Sequence, residues 1–461
     1  MRCHPSSGCI SAKFILLSFL FLYVLTKKYQ NGKIISMHDK FKKFWKSLGP
    51  GLITGASDDD PSGIATYSIA GAKFGLSVLW MAIFTLPFMI TIQRMAGRIG
   101  LISGKGIAGN MKKHYPRFVL VSVALMAVAQ NIINIGADIS GMAATFVLTV
   151  PISPLLYSVI LVAGIVLALV FIPYYKLASY LKWVAIVMFS YVMAAFFVQH
   201  DWSEVFKRTV IPEIHFSKDY FLMIIAILGT TISPYLFFWQ ASEQVEEERV
   251  HVDKKLSPKH QHHKRHPSNI VVGREINVMY KDIKSGMFFS NLIMFFVIVM
   301  AASTLFNTGH FEVETMEQVA SVLKPLAGQY ANILFLIGIT AAGVLAIPVL
   351  AGSAAYVMAE TFGWKDGLNH RFDKAKAFYT VIAGSTVLGL LIPVFGFDPV
   401  KALFYTAILH GITAPFLIFA IIHMANNPKI MGKYINRHRS NVVGYILFLI
   451  MSASTILLFF L

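Results

Sequence analysis

Two cysteines, Cys3 and Cys9, are the only thiols in 461 residues, and both lie near the N-terminus. That excludes a disulfide framework and a thiolate metal site. Charge is scarce as well. Only 14% of residues are Asp, Glu, Lys or Arg, and 23 acids face 40 bases. Together with 56% hydrophobic residues and a mean hydropathy of +0.64, this excludes a soluble protein of such length and calls for many spanning helices. The net charge of +17 does not point to nucleic acid. The bases gather in short loops between apolar runs, as the positive-inside rule expects of cytoplasmic loops.

Against that scarcity of acids one stretch stands apart, residues 48–72, LGPGLITGASDDDPSGIATYSIAGA. It reads as a membrane helix broken at its middle. Three carboxylates in hydrocarbon are costly, at roughly 2.5–3.5 kcal/mol each on insertion scales. Pro61 lacks an N–H and clashes with the preceding turn, and Gly63 tolerates open backbone geometry. Opened backbone survives at membrane depth only where it lines a cavity or is buried in protein. The expectation is a cation site held by Asp60 and unwound backbone.

Along the chain, residues 1–36 are expected to be an N-terminal extension with no transport role, from a misassigned start, or else a short anchoring helix. Their apolar run, residues 14–25, is shorter than the roughly 17–25 residues a span needs. Residues 37–461 are the expected transporter domain. After the broken first span come residues 74–92, 118–148, 155–172 and 178–198. A second break, Gly229-Thr230-Thr231-Ile232-Ser233-Pro234, interrupts residues 220–240. Residues 287–306, 326–350, 377–395, 402–424 and 442–460 complete about 11 spans. Residues 94–117, with Arg94 and Arg98, and the mixed-charge residues 200–219 read as loops. The longest polar stretch, residues 243–285, carries Glu243, Glu246, Glu247, Glu248 and five histidines between His251 and His266. Charge asymmetry places the N-terminus inside and the C-terminus outside.

The two breaks lie five spans apart, an odd number, so the halves run in opposite senses. Repeat one covers about 47–198, repeat two about 220–424, and residues 442–460 are extra. Interrupted helices in corresponding positions point to a transporter site. Their C-terminal half-helix ends offer carbonyls to a cation.

From about Ser47 onward the sequence resembles the Nramp family of divalent-metal transporters. LGPGLITGASDDDPSG is similar to that family's first-helix signature, GPG followed by Asp-Pro-Gly-Asn. Asp60 falls on its metal-binding Asp and Gly63 on its Asn. GTTISPYLFFWQ is similar to the sixth-helix signature. There Ser233 stands for the Met ligand, Tyr235 for the His and Leu236 for the Asn, and Thr230 falls where a carbonyl is offered. In NIGADISG, Asp138 is kept and Gly141 replaces a Glu. The resemblance implies an all-α membrane protein with a LeuT-like 5+5 inverted repeat. It also implies metal contacts at Asp60, Ser57, Gly63, Thr230 and Ser233, with no catalytic residues.

The departures are chemically coherent. Loss of the thioether leaves oxygen donors, which suit Mg²⁺, Ca²⁺ and Mn²⁺. Mg²⁺ stays partly hydrated on one or two carboxylates, and small residues at Gly63 and Ser233 are expected to leave room for its waters. This resembles the Nramp-related magnesium transporter branch. Tyr235, Gly141 and the lack of Arg in residues 377–395 imply weak or absent proton coupling.

Other polar residues have blander readings beside them. Asp58 and Asp59 either draw cations into a vestibule, cap helices or contact other helices. Asp138 is expected to make a structural buried hydrogen bond, with contact to hydrated metal as the alternative. Thr406 and His410 are not expected to be direct ligands. Glu243–Glu248 form either an exit funnel or a solvated helix end, and the loop with His251, His260, His262, His263 and His266 is expected to be a flexible charged segment, with weak metal sensing as the alternative. Tyr235 and Trp239 are expected to be packing or interfacial residues. The expected function is a secondary transporter or uniporter of Mg²⁺ or Mn²⁺. The rivals are a proton-coupled Mn²⁺/Fe²⁺ transporter, an amino-acid or Na⁺ symporter, and a Mg²⁺-dependent membrane prenyltransferase-type enzyme. The last needs a second aspartate-rich motif inside an apolar span, and there is none. The expected partners are Mg²⁺ or Mn²⁺ as substrate and the lipid bilayer, with no cofactor, no nucleic acid and no oligomeric state indicated. The expected location is a bacterial plasma membrane.

Overall fold

The computed structural model describes residues 50–172, 187–198, 201–255, 269–309 and 311–460. The extension 1–36 and the lead-in up to residue 49 lie outside the described residues, as do the side chains of the histidine-bearing loop. Every regular element among the described residues is a helix.

The first span is two helices, α1 (Pro50–Asp58) and α2 (Pro61–Phe74). Asp60 leaves the helical region (φ −69°, ψ 172°) and caps α2, its side chain accepting from the Gly63 N–H at 2.7 Å. Such a cap is worth about 1 kcal/mol. Pro61 at the first turn has no N–H to continue the ladder of α1, so the chain stops and restarts there.

Next come α3 (Trp80–Ser103), α4 (Ile107–His114), α5 (Arg117–Val147) and α6 (Pro154–Phe171). The expected fifth span lies mostly outside the described residues, within which only α7 (Phe189–Ala195) is helical. Then follow α8 (Trp202–Val210) and the second broken span, α9 (Lys218–Thr231) and α10 (Pro234–Lys255). The chain ends with α11 (Asn269–Thr304), α12 (Ala331–Phe362), α13 (Lys376–Gly389), α14 (Pro399–Asn426) and α15 (His438–Phe460).

Eight described helices, taking α9–α10 as one, are long and apolar enough to cross a membrane. The first two spans meet as a pair bent by 105° between Pro61–Val78 and Trp80–Ser103. The second span therefore starts six residues later than residue 74, because Gly75 (φ 58°) ends α2 and Gly75–Val78 forms a 3₁₀ turn. Two stretches expected as loops are partly helical. Arg94 and Arg98 belong to α3, whose end is held by Arg94 over the Tyr280 ring (4.7 Å) and by Arg98 bonded to Tyr280 and Asn436. Residues 202–210 form α8, capped by Asp201 and tied by Glu204 to Arg208. Here local caps and ion pairs outweighed low hydropathy. The polar stretch 243–285 is likewise helical up to Lys255 and again from Asn269.

Apolar side chains gain little from meeting one another in lipid, so these helices rely on close contact at small residues. Helix α11 packs along both α1 and α2. A Cβ on Gly55 of α1 would stand 2.2 Å from the Gly286 carbonyl oxygen of α11. Helix α9 packs on α14 in the same way, a Cβ on Gly229 falling 2.0 Å from the Ala407 carbonyl oxygen. Helices α5 and α12 pair on the other side of the first break, with Gly343 against Met142. The two broken spans are thus clamped by unbroken ones.

Candidate functional site

Both breaks come to one place. A Cβ on Gly63 would stand 3.0 Å from Thr230 Oγ1 and 3.5 Å from Asp60 Oδ1. Glycine here lets the two breaks touch. A larger side chain at this position would meet Thr230 Oγ1 across the two breaks.

Asp60 lies at the centre. Its Oδ1 accepts from Ser62 Oγ (2.6 Å) and Gly63 N (2.7 Å), and its Oδ2 accepts from Asn134 Nδ2 of α5 (2.8 Å). A carboxylate has about four acceptor positions. Three are filled by these donors, and the Ser62 N–H approaches the same carboxylate. Asp138 lies one helical turn from Asn134 and beside Asp60, fully buried, with the Ser62 N–H of α2 directed at its carboxylate.

The carbonyls at the half-helix ends are partly engaged. Tyr235 Oη donates to the Ser57 carbonyl at 2.8 Å, which leaves that oxygen one lone pair. Ser57 Oγ donates to the Leu345 carbonyl at 3.3 Å. Ser233 Oγ donates to the Gly229 and Thr230 carbonyls (3.1 and 2.8 Å), covering ends that α9 leaves unpaired. Ser57, Asp60, Gly63, Thr230 and Ser233 are all buried, so the site is closed off from solvent on every side.

Tyr235 and Trp239 are interior residues, not interfacial ones. Both are at most 1% exposed, and Trp239 lies across α12 at Gly352. Gly141 packs on Leu403, which a Cβ would approach to 2.8 Å, so a Glu there would have to displace the Leu403 side chain. His410 of α14 is buried, its ring centroid 5.8 Å from that of Tyr235, and its Nε2 has no bonded partner. Thr406 bonds to its own helix at Leu403. Sequence reasoning missed Ser290, Tyr67 and the direct bond of Asn134 to Asp60. The spacing of Asn131, Asn134 and Asp138 on one helical face was the available signal for the last.

At the far end of α10, Glu246 is neither a funnel nor solvated. It accepts from Tyr356 Oη (2.6 Å) and Leu368 N (2.6 Å) and from Asn369 Nδ2 (2.9 Å). Glu360 of α12 accepts from Gly106 N (2.8 Å) and Gly109 N (2.7 Å), and from Ser242 Oγ of α10 at 3.4 Å. Glu243 is buried beside them.

Residues 51–461 match the model of a family described as Nramp, natural resistance-associated macrophage protein-like. A divalent metal cation transporter MntH of Caldanaerobacter subterraneus subsp. tengcongensis is 24% identical over 423 residues, 90% of this chain and 93% of that protein. Another, of Klebsiella pneumoniae, is 23% identical over 412 residues, 87% and 90% of the two chains. A crystal structure of a manganese transporter of Eremococcus coleocola shares the fold, with a TM-score of 0.70 and 15% identity, over 94% of this chain and 88% of that one.

Proposed function

The chain belongs to the Nramp family, and from that premise we propose that it carries a divalent metal cation across the membrane by alternating access. It is a multi-pass membrane transporter with an all-α, LeuT-like fold, and not an enzyme. The observation that carries the proposal is the meeting of the two breaks at a buried carboxylate, Asp60. The cation docks at Asp60, with the carbonyls of Ser57 and Thr230 and the hydroxyl of Ser233 as further oxygens. Residues 47–198 and 220–424 act as inverted repeats, and the broken spans rock against the rest. A bacterial plasma membrane with the N-terminus inside fits the loop charges.

Mg²⁺ or Mn²⁺ is the proposed ion. What supports this is an oxygen-only donor set with Ser233 in place of a thioether. Ser233→Met is expected to raise Mn²⁺ uptake relative to Mg²⁺ roughly tenfold, worth about 1.4 kcal/mol. Competition between the two ions in proteoliposomes measures the ratio, and an unchanged ratio counts against the ligand assignment.

Weak or absent proton coupling is part of the same proposal. It rests on Tyr235, on Gly141 packed against Leu403, and on a ninth span without Arg. A second reading, proton-coupled transport of a softer metal, draws on His410, an imidazole delivered beside Tyr235 from a different helix. A pH-sensitive dye inside proteoliposomes separates them. Metal entry without acidification is the expected result, and acidification that tracks metal entry and disappears in His410→Ala selects the second reading.

A further inference from the structure

Arg94 and Arg98 stand one turn apart on the same face of α3, at the end that the loop charges place inside. Both hold one residue of α11. Arg94 lies over the Tyr280 ring (4.7 Å) and donates to the Tyr280 carbonyl at 3.3 Å. Arg98 donates through Nη1 to the Tyr280 hydroxyl (3.3 Å) and through Nη2 to Asn436 Oδ1. Every one of these acceptors is neutral. Arg98 is 8% exposed, and the Nε–H groups of both arginines are buried without a bonded partner. Among the described residues no salt bridge reaches either guanidinium. The sequence leaves little to make one, since residues 61–137 and 399–461 contain no Asp or Glu. Asp282 of α11, two residues after Tyr280, lies roughly 200° round that helix.

A second observation comes from the loop between α14 and α15. Asn436 is buried there, its Nδ2 donating to Asn441 Oδ1 (2.7 Å) and its main-chain N–H to the Ala425 carbonyl (3.0 Å). Both bonds fix the amide so that its neutral oxygen meets Arg98. The charged residues beside it, Lys433, Arg437 and Arg439, are exposed and all basic. Three elements of the inner side thus converge on two like charges and bring no acid. Like charges one turn apart repel, and a buried charge without a counter-charge is strongly unfavourable. What the place lacks is an anion.

The donors select its chemistry. A guanidinium fork matches the oxygens of a phosphate, and the Tyr280 hydroxyl, which accepts from Arg98, still has its own proton to give. Arg94 is half-buried and leaves a way in. The flank is apolar. Helix α15 packs on α3, a Cβ on Gly444 standing 3.3 Å from Met95 Cε, and Ile435, Val442 and Ile446 are exposed there. A basic cleft between spanning helices with an apolar flank suits a headgroup with its acyl chains. We propose that Arg94, Arg98 and the Tyr280 hydroxyl bind the phosphate of an anionic phospholipid from the inner leaflet, with Asn436 positioning Arg98. The site shares no residue with the one at Asp60 and stands whichever ion is carried.

The test uses the purified full chain in detergent, unfolded by heat with added phosphatidylglycerol, phosphatidylcholine or inorganic phosphate at equal ionic strength. Phosphatidylglycerol is expected to raise Tm saturably by about 3 °C, as a ligand specific to the folded state does. Phosphatidylcholine carries no net charge and inorganic phosphate no acyl chains, so both are expected to do much less. Arg98→Gln keeps a donor for Asn436 and loses the charge. It is expected to raise the half-saturating phosphatidylglycerol concentration at least about tenfold. Should that variant not fold, Arg94→Gln is read in the same titration with the same expectation. Lys433→Gln removes an exposed charge from the same loop and is expected to shift the titration far less. Equal Tm in the two lipids overturns the proposal, as does an unchanged half-saturation in the arginine variant. An equal response to inorganic phosphate overturns the lipid as its source. A loss in Lys433→Gln as large as in Arg98→Gln replaces the site with diffuse attraction and also overturns it.

Discussion

Asp60→Ala is expected to lower divalent-cation uptake into proteoliposomes at least about 100-fold, which corresponds to roughly 2.8 kcal/mol of lost cation stabilisation. The size follows from the donor set. Among the proposed ligands Asp60 alone is ionic, the rest being carbonyls and one hydroxyl. Removing it leaves dipoles to replace the hydration shell of a doubly charged ion. The variant also loses the cap of α2 and the bond to Asn134, so a fall in uptake alone would be ambiguous. Asp60→Asn resolves this. An amide oxygen still accepts from the Gly63 N–H, while the charge is gone. Both variants should therefore fail in transport, and the Asn form should keep nearly all of its thermal stability. Uptake retained by Asp60→Asn would remove the carboxylate from the mechanism.

Gly229→Ala is expected to do its damage through the fold. The added Cβ would stand 2.0 Å from the Ala407 carbonyl oxygen and 2.4 Å from the Gly411 N. Neither is the end of a flexible side chain, so α9 and α14 must separate or bend. Overpacking of this kind costs about 1–3 kcal/mol and sometimes more. The upper end is expected, because Gly411 makes the reciprocal approach to the Ile225 carbonyl at 2.4 Å, leaving no slack on either helix. A large drop in Tm and in monodisperse protein on size-exclusion chromatography is the readout. Gly164→Ala is the control, since a Cβ there meets nothing within 4 Å. Equal behaviour of the two variants would show that the contact is looser than the structure has it.

The breaks themselves were legible because their causes are local. Proline removes a donor wherever it falls, and an Asp before it is a ready cap. That fixed the ends of α1 and α9 to within a residue or two. The partners of the broken ends were not legible, because they depend on how neighbouring helices rotate. Asn134 could be placed on the face of Asp138, but nothing in the sequence says that this face meets Asp60. Tyr235 reads as a substitution for a His ligand, and only the packed structure has its hydroxyl on the Ser57 carbonyl. Ser290 sits in an apolar span with no flag of its own. Helix ends at Arg94 and Arg98 were misjudged because hydropathy does not register a cation over an aromatic ring.

The ties made by Glu246 and Glu360 bear on which parts of the chain are free to drift. Four of their seven donors are main-chain N–H groups, at Leu368, Asn369, Gly106 and Gly109. A main-chain donor does not depend on the side chain beside it, so these loops can exchange residues and keep the tie. Two positions are exceptions. A Cβ on Gly106 would stand 2.2 Å from Glu360 Oε1, and one on Gly367 2.5 Å from Glu246 Oε1. Each glutamate thus comes with one glycine that must stay bare, and mutational tolerance in these loops should fall sharply at those two residues.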